Sequence, residues 1–219
     1  MLDEKPQYES GIELTAMCFA DLPEIVRLYQ EVFYDHFLGH MGGKFLRLFC
    51  AQFINSSANQ GYVAKSNGRP VGFVLGSIER EPFARFYRQN FWLLVILVTL
   101  RYFRDAYVRK HISQRLGCIA AALQAFFLRR QGEGESKGER DRFAPARILA
   151  IGVRSDYRGR GVANLLTKHF CAKMKQVGYK KVGLSTLPTN QRAIHFYKKD
   201  GWIIEESTPV SLSFIRTIV

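Results

Sequence analysis

Arg158-Gly159-Arg160-Gly161-Val162-Ala163 decides how this chain is read. The stretch follows an apolar run, Ile148-Leu149-Ala150-Ile151-Gly152-Val153, and precedes apolar residues at helical spacing. That order reads as strand, glycine turn, helix N-terminus. The first turn of a helix carries N–H groups without partners, and its dipole is positive there. Glycine lets a phosphate come close to that backbone. The segment therefore reads as a phosphate cradle fed directly by a strand; the competing reading is a tight turn with no ligand. Two other phosphate loops do not fit. Lys-Ser/Thr does not follow the second glycine, as a nucleotide-hydrolase loop requires, and the third glycine of a dinucleotide fingerprint is absent.

Working outward, the helix after the cradle carries Val162, Leu165, Leu166, His169, Phe170 and Val177 on one face, and Gly178 closes it. Residues 181–186 read as the next strand. Asn190 caps a helix that ends near Gly201, and residues 202–206 and 212–218 supply a closing strand pair. Upstream, Ile12, Leu14, Ala16 and Cys18 alternate at strand period. Asp21, with Glu24 three residues on, opens a helix whose face is Leu22, Ile25, Val26, Tyr29, Val32 and Phe33. A second helix runs over about residues 44–54. Two apolar strands, 61–65 and 70–78, flank Asn67-Gly68, a strong hairpin signal because both residues tolerate positive φ. The order β-α-α-β-β thus precedes the strand, cradle and helix.

A second block lies downstream of the cradle. After the strand ending Leu184-Ser185-Thr186 come Asn190, Ala193, Phe196-Tyr197, Gly201 and Trp202. The two blocks together resemble the GNAT superfamily of acyl-CoA-dependent N-acyltransferases. Arg158, Gly161 and Ala163 fill the family pattern Arg/Gln-x-x-Gly-x-Gly/Ala, and the second block matches its Asn…Ala…Tyr…Gly-aromatic ending. The resemblance implies an α/β fold with a mixed, mostly antiparallel sheet flanked by helices. It makes residues 1–219 one domain. The departure is a helical insertion at about residues 80–146, between the third and fourth strands. It holds apolar stretches around Phe83, at 91–100 and at 112–128, then a Gly/Glu/Lys/Arg-rich loop at 131–142.

The resemblance also implies the chemistry. Backbone N–H groups of Arg158, Gly159, Arg160, Gly161, Val162 and Ala163 would hold the pyrophosphate of acetyl-CoA. The strand backbone at Ile151, Gly152 and Val153 would pair with the pantetheine arm and supply an oxyanion donor. Asn190 would cap its helix and touch the same arm. A primary amine would attack the thioester directly, so catalysis rests on orientation and proton handling. Tyr197 stands where the family often places the acid for the departing thiolate; as an isolated residue it reads as a core tyrosine. The base is missing from its usual strand, where Arg147, Leu149 and Ile151 stand at the inward-alternating positions. Glu79 is the residue assigned to that role; Glu81, Asp35 and His36 are further candidates, and a solvated surface charge is the plain reading of each. His169 reads as core and His195 as surface. The acceptor leans toward an amino sugar or a nucleotide-linked amino sugar. The alternatives are a non-catalytic CoA-binding or membrane-surface protein, and an N-acyltransferase for longer chains.

Composition narrows the partners. Apolar residues make up 47% and charged residues 23%, which is ordinary for a globular chain. The four cysteines lack paired spacing, so neither a disulfide framework nor a metal site is expected. Residues 1–6 are polar, so no signal peptide is expected and the chain is placed in the cytoplasm. The formal net charge of +13 favours anionic partners. With no nucleic-acid motif in view, a nucleotide cosubstrate or an anionic lipid surface fits that charge better. The apolar run at 91–100 is far short of the ~20 residues that cross a bilayer. The insertion reads as an acceptor lid, a homodimer surface near Trp92, a peripheral membrane helix, or added core.

Overall fold

The computed structural model describes residues 11–34, 37–79, 84–106, 109 and 145–218. The expectations for Asp35, His36, Glu81, Phe83 and the stretches 112–128 and 131–142 lie outside these residues. Seven strands form one sheet in the order β1-β2-β3-β4-β5-β7-β6. They are β1 (Ile12–Ala16), β2 (Asn59–Ser66), β3 (Arg69–Ser77), β4 (Ala146–Val153), β5 (Lys181–Thr186), β6 (Ile203–Ser207) and β7 (Leu212–Thr217). Every pairing is antiparallel except β4 with β5. This is the mixed, mostly antiparallel sheet that the family resemblance implied. The β2–β3 hairpin turns on Asn67 (φ 51°) and Gly68 (φ 74°), the two positive values that match the twist of the strands.

The sheet separates two apolar clusters. On one face, α1 (Leu22–Val32) and α3 (Gly43–Ala51) bury Ile25, Tyr29, Leu46 and Phe49 against Phe73 and Leu75 of β3. A four-residue turn, α2 (Phe37–His40), links them. α4 (Ala84–Gln89) adds Phe86, which sits edge-on to Phe45 and Phe49 with ring centroids 6.0 and 5.9 Å away. α5 (Phe91–Arg104) lays Leu97 and Val98 against the same cluster. On the other face, α6 (Val162–Gln176) and α7 (Gln191–Lys199) bury Leu166, Phe170, Met174 and Tyr197 against β4, β5 and β7. Among the described residues no helix is long and apolar enough to cross a membrane.

Three local expectations need correction. The Asp21 carboxylate does not cap α1. It accepts from the Cys18 amide at 3.0 Å and pairs with the Lys65 ammonium at 2.7 Å, tying the chain before α1 to the sheet. Val177 is 43% exposed, so the inner face of α6 ends at Met174. Gly178, at φ 96°, does close that helix: the Gly178 amide donates to the Lys175 carbonyl and Tyr179 to Met174. Finally, Leu149 and Ile151 do not share a face. The register against β3 jumps from Leu75↔Ala150 to Gly76↔Ile148, leaving Leu149 unpaired in a bulge. Leu149 and Ala150 therefore both turn to the α1 side, while Ile148 and Ile151 face α6.

Candidate functional site

β4 and β5 pair over three residues only, Ala146↔Val182, Arg147↔Gly183 and Ile148↔Leu184. At the bulge the two strands part, while β5 stays paired with β7 on its other edge from Lys181 to Thr186. From Leu149 on, β4 has a partner on its β3 side alone. The hydrogen-bond parity of that side follows from one bond. The Arg154 amide donates to the Val71 carbonyl at 2.9 Å, so Val71 and Arg154 form a hydrogen-bonded pair. Antiparallel pairs alternate, so Phe73–Gly152 and Leu75–Ala150 are bonded, while Ile151 and Val153 direct N–H and C=O away from β3. Those groups face the gap where β5 has left. The amide and carbonyl of Gly152 go to β3. Its own contribution there is steric, because a Cβ would stand 2.7 Å from the Phe73 ring.

The chain leaves the end of this open edge straight into the glycine turn. Gly159 (φ 79°) and Gly161 (φ 80°) are both left-handed, and Gly161 is the N-cap of α6. The Leu165 amide donates to the Gly161 carbonyl at 2.9 Å, so the intrahelical ladder starts at Leu165 and the amides of Val162, Ala163 and Asn164 precede it. A Cβ at Gly159 would meet nothing within 4 Å, which leaves its backbone approachable. The turn is charged. The guanidiniums of Arg154 and Arg160 lie over the Tyr157 ring at 4.8 and 5.1 Å, and the Arg158 guanidinium donates to the Val153 carbonyl at 3.2 Å. Arg154 forks onto Asp156 at 2.8 and 3.1 Å. That pairing holds the Asp156 carboxyl below the usual carboxylate range. α1 clamps the turn, because Glu31 accepts from the Ser155 hydroxyl at 3.1 Å.

Tyr197 is 6% exposed and sits within 5.4 Å of the Phe214 ring and 6.0 Å of the Trp202 ring, measured between centroids. Its apolar cluster includes Ile148 and Leu184, the last pair before the strands part, and is bordered by Ile151 and Val153. Burial pushes the phenol up to about 12, so it keeps its proton at neutral pH. Asn190 stands at the N-terminus of α7 and its side-chain oxygen accepts from the Ala193 amide at 3.1 Å. Glu79 is not brought to this group. It follows β3, and Ser77 lies opposite Arg147 at the closed end of the gap, six positions before Val153 along β4. His169 is half-buried with its ring 4.6 Å from Tyr62; burial, aided by Lys173, lowers its pKa.

One polar feature of the site is absent from the sequence reading. Arg147, at the closed end of the gap, reaches across β5 to Glu205 of β6, nitrogen to oxygen 3.2 Å. It passes over Gly183, where a Cβ would come within 3.2 Å of the guanidinium. Beside it the Ser185 and Ser213 hydroxyls meet at 2.9 Å. The partners are 58 positions apart, and no local pattern links them.

The arrangement is a strand edge with unpaired amides that leads into an amide-lined, cationic turn. A family model for the acetyltransferase (GNAT) family matches residues 22–202. The chain belongs to that family. Solved structures similar to this GNAT chain share its fold at low identity. They include PaiA N-acetyltransferase from Thermoplasma acidophilum in complex with coenzyme A (11% identity, 94% of this chain and 99% of that one, TM-score 0.59). Two others are the ribosomal-protein-S18-alanine N-acetyltransferase from Escherichia coli (12%, 94% of each chain, 0.54) and NAA60 from Arabidopsis thaliana in complex with acetyl-CoA (14%, 94% and 98%, 0.54). No curated protein matches the sequence.

Proposed function

We propose that this GNAT chain transfers an acetyl group from acetyl-CoA to a primary amine. The observation that carries the reading is the open edge of β4, where Ile151 and Val153 aim backbone groups into the gap left by β5. In this reading that edge pairs with the amide-bearing pantetheine arm as a further strand would. The amides of residues 158–163 hold the pyrophosphate, and Arg158 and Arg160 add charge. An amide of the β4 edge donates to the thioester oxygen as charge develops there. Tyr197 protonates the departing thiolate. Asn190 caps α7 and steadies the helix that carries Tyr197.

The acceptor approaches on the face of β5 and β7 that bears Arg147, Ser185 and Ser213. The Arg147–Glu205 pair and the two hydroxyls there suit a polar, hydroxyl-bearing acceptor. That keeps an amino sugar or nucleotide-linked amino sugar as the leading class. Glu79 receives the amine proton only through water in this reading, because it lies beyond the closed end of the gap.

Thiol release from acetyl-CoA in the presence of a broad panel of amines tests the proposal. Amine-dependent release is the expected result. The competing reading is a CoA binder without transfer, favoured by the lack of a carboxylate on β4. Calorimetric binding of CoA with no amine-dependent turnover would establish it. A comparison of acetyl-, octanoyl- and palmitoyl-CoA decides the acyl length.

A further inference from the structure

We infer that α5 docks this protein on an anionic membrane surface. The helix runs from Phe91 to Arg104, and its two sides are both apolar. The inner side, with Leu97 and Val98, packs on the α1/α3 cluster. The outer side presents Trp92 (75% exposed), Leu93, Val95, Ile96, Leu100 and Phe103 (73% exposed). Positions 92, 96, 100 and 103 fall within about 80° on a helical projection, and the charged residues of the helix, Arg101 and Arg104, come in its last turn. A surface helix normally turns charge to water. This one turns an aromatic and aliphatic stripe outward along its whole length of about 21 Å. At 14 residues it is too short to span a bilayer, so it would lie in the interface plane.

Charge identifies the surface. Across α2, α3, α4 and α5 the cations are Lys44, Arg47, Arg85, Arg88, Arg101 and Arg104, and none of the four helices contains Asp or Glu. The next carboxylate along the chain, Asp105, is held 3.0 Å from His40. Among the described residues, the four helices around the stripe therefore bring cations and no carboxylate of their own, in a chain whose net charge is +13. Acyl chains would cover the exposed apolar stripe, and anionic headgroups would meet the cations of the same helices. The inference does not depend on the acyl-transfer reading, since it rests on the outer side of α5 and the cations near it, not on the β4 edge or the glycine turn.

Tryptophan emission of the full chain, with vesicles of phosphatidylcholine alone or mixed with phosphatidylglycerol, tests it. Trp202 is 3% exposed, so a change on binding reports Trp92. A blue shift and co-sedimentation with the anionic vesicles are expected, weakening as salt rises. The double variant Trp92→Ser/Phe103→Ser should partition at least about tenfold less. Both side chains are largely solvated, so the fold and CoA binding should persist, and circular dichroism and calorimetry check this. Lys44→Glu/Arg47→Glu should lose the preference for anionic lipid. No association with either vesicle overturns the inference. So does equal binding by the wild type and the Trp92/Phe103 variant. A concentration-dependent oligomer that shields Trp92 without lipid would assign the stripe to a second copy and likewise overturn it.

Discussion

At the scale of single residues, Tyr197 and Cys50 answer different questions. The Tyr197 ring fills space beside Phe214 and Trp202, and only its hydroxyl offers chemistry. Tyr197→Phe should therefore leave the fold intact and slow turnover about 100-fold, the range seen when a positioned acid is removed. KM for acetyl-CoA should stay within about twofold. Steady-state kinetics check the split, and unchanged turnover in a folded variant removes Tyr197 from the mechanism. Burial also raises Cys50 from 9.0 to about 12 and Cys171, against a smaller pull from Arg216, to about 11. Above pH 9 the unfolded chain releases these protons while the folded one keeps them. Stability is then full below about pH 9, falls as pH rises through the folded values, and steepens above 10 when Tyr197 joins. Urea midpoints at pH 8, 9.5 and 10.5 should decline in that order; equal midpoints would contradict the burial of these groups. Asp21 shows what sequence could not supply at this scale. Its spacing to Glu24 imitates a capping box, yet its carboxylate goes to Lys65, 44 positions away, and no local rule anticipates that.

At the scale of the element, β4 does two jobs with one strand. Its Ala150 and Gly152 bond to β3, and its Ile151 and Val153 face the gap. Proline tests this parity directly. Ile151→Pro removes an N–H that no strand uses, a placement edge strands tolerate. It should weaken CoA binding about 3- to 10-fold for one lost hydrogen bond, and cut turnover by about 100-fold or more if that amide is the oxyanion donor. Gly152→Pro removes a ladder bond and adds atoms against Phe73, so it should unfold the chain instead. Calorimetry and melting curves separate the two, and equal damage to the fold would refute the parity. The strand, the glycine turn and the caps at Gly178 and Asn190 were legible because each follows from near neighbours: alternation, positive φ, an Asn three residues before its amide. The bulge was not. Ile148 to Ile151 are all apolar, so the residue that breaks alternation leaves no mark in the pattern, and Leu149 reads as facing with Ile151 although it faces away.

At the scale of the molecule, the element order was readable because each strand carries its own apolar pattern and β2–β3 and β6–β7 are joined by short turns, whereas the parting of β4 from β5 depends on a three-residue contact across α6. That contact makes the sheet two antiparallel groups, β1 to β4 and β5 to β7, joined by a short parallel seam and by the apolar cluster under α6. A ligand lying along the β4 edge extends the seam, and since it needs the folded edge it stabilises the folded state by mass action. At a hundred times its Kd the gain is about 2.7 kcal/mol. For a chain of this size each kcal/mol moves Tm by about 2–4 °C, so saturating CoA should raise Tm by roughly 5–10 °C. A fragment carrying only the 3′-phosphorylated ADP part should engage the glycine turn alone and give a smaller rise. Ile151→Pro should narrow the difference between fragment and whole cosubstrate, because its missing amide lies on the edge that only the pantetheine arm would occupy. Hydrogen exchange locates the effect: the amides of Ile151 and Val153 should exchange fast in the free protein and become protected with CoA, while those of Ala150 and Gly152 stay protected throughout. Protection by CoA that appears elsewhere and spares Ile151 and Val153 would move the cosubstrate off this edge.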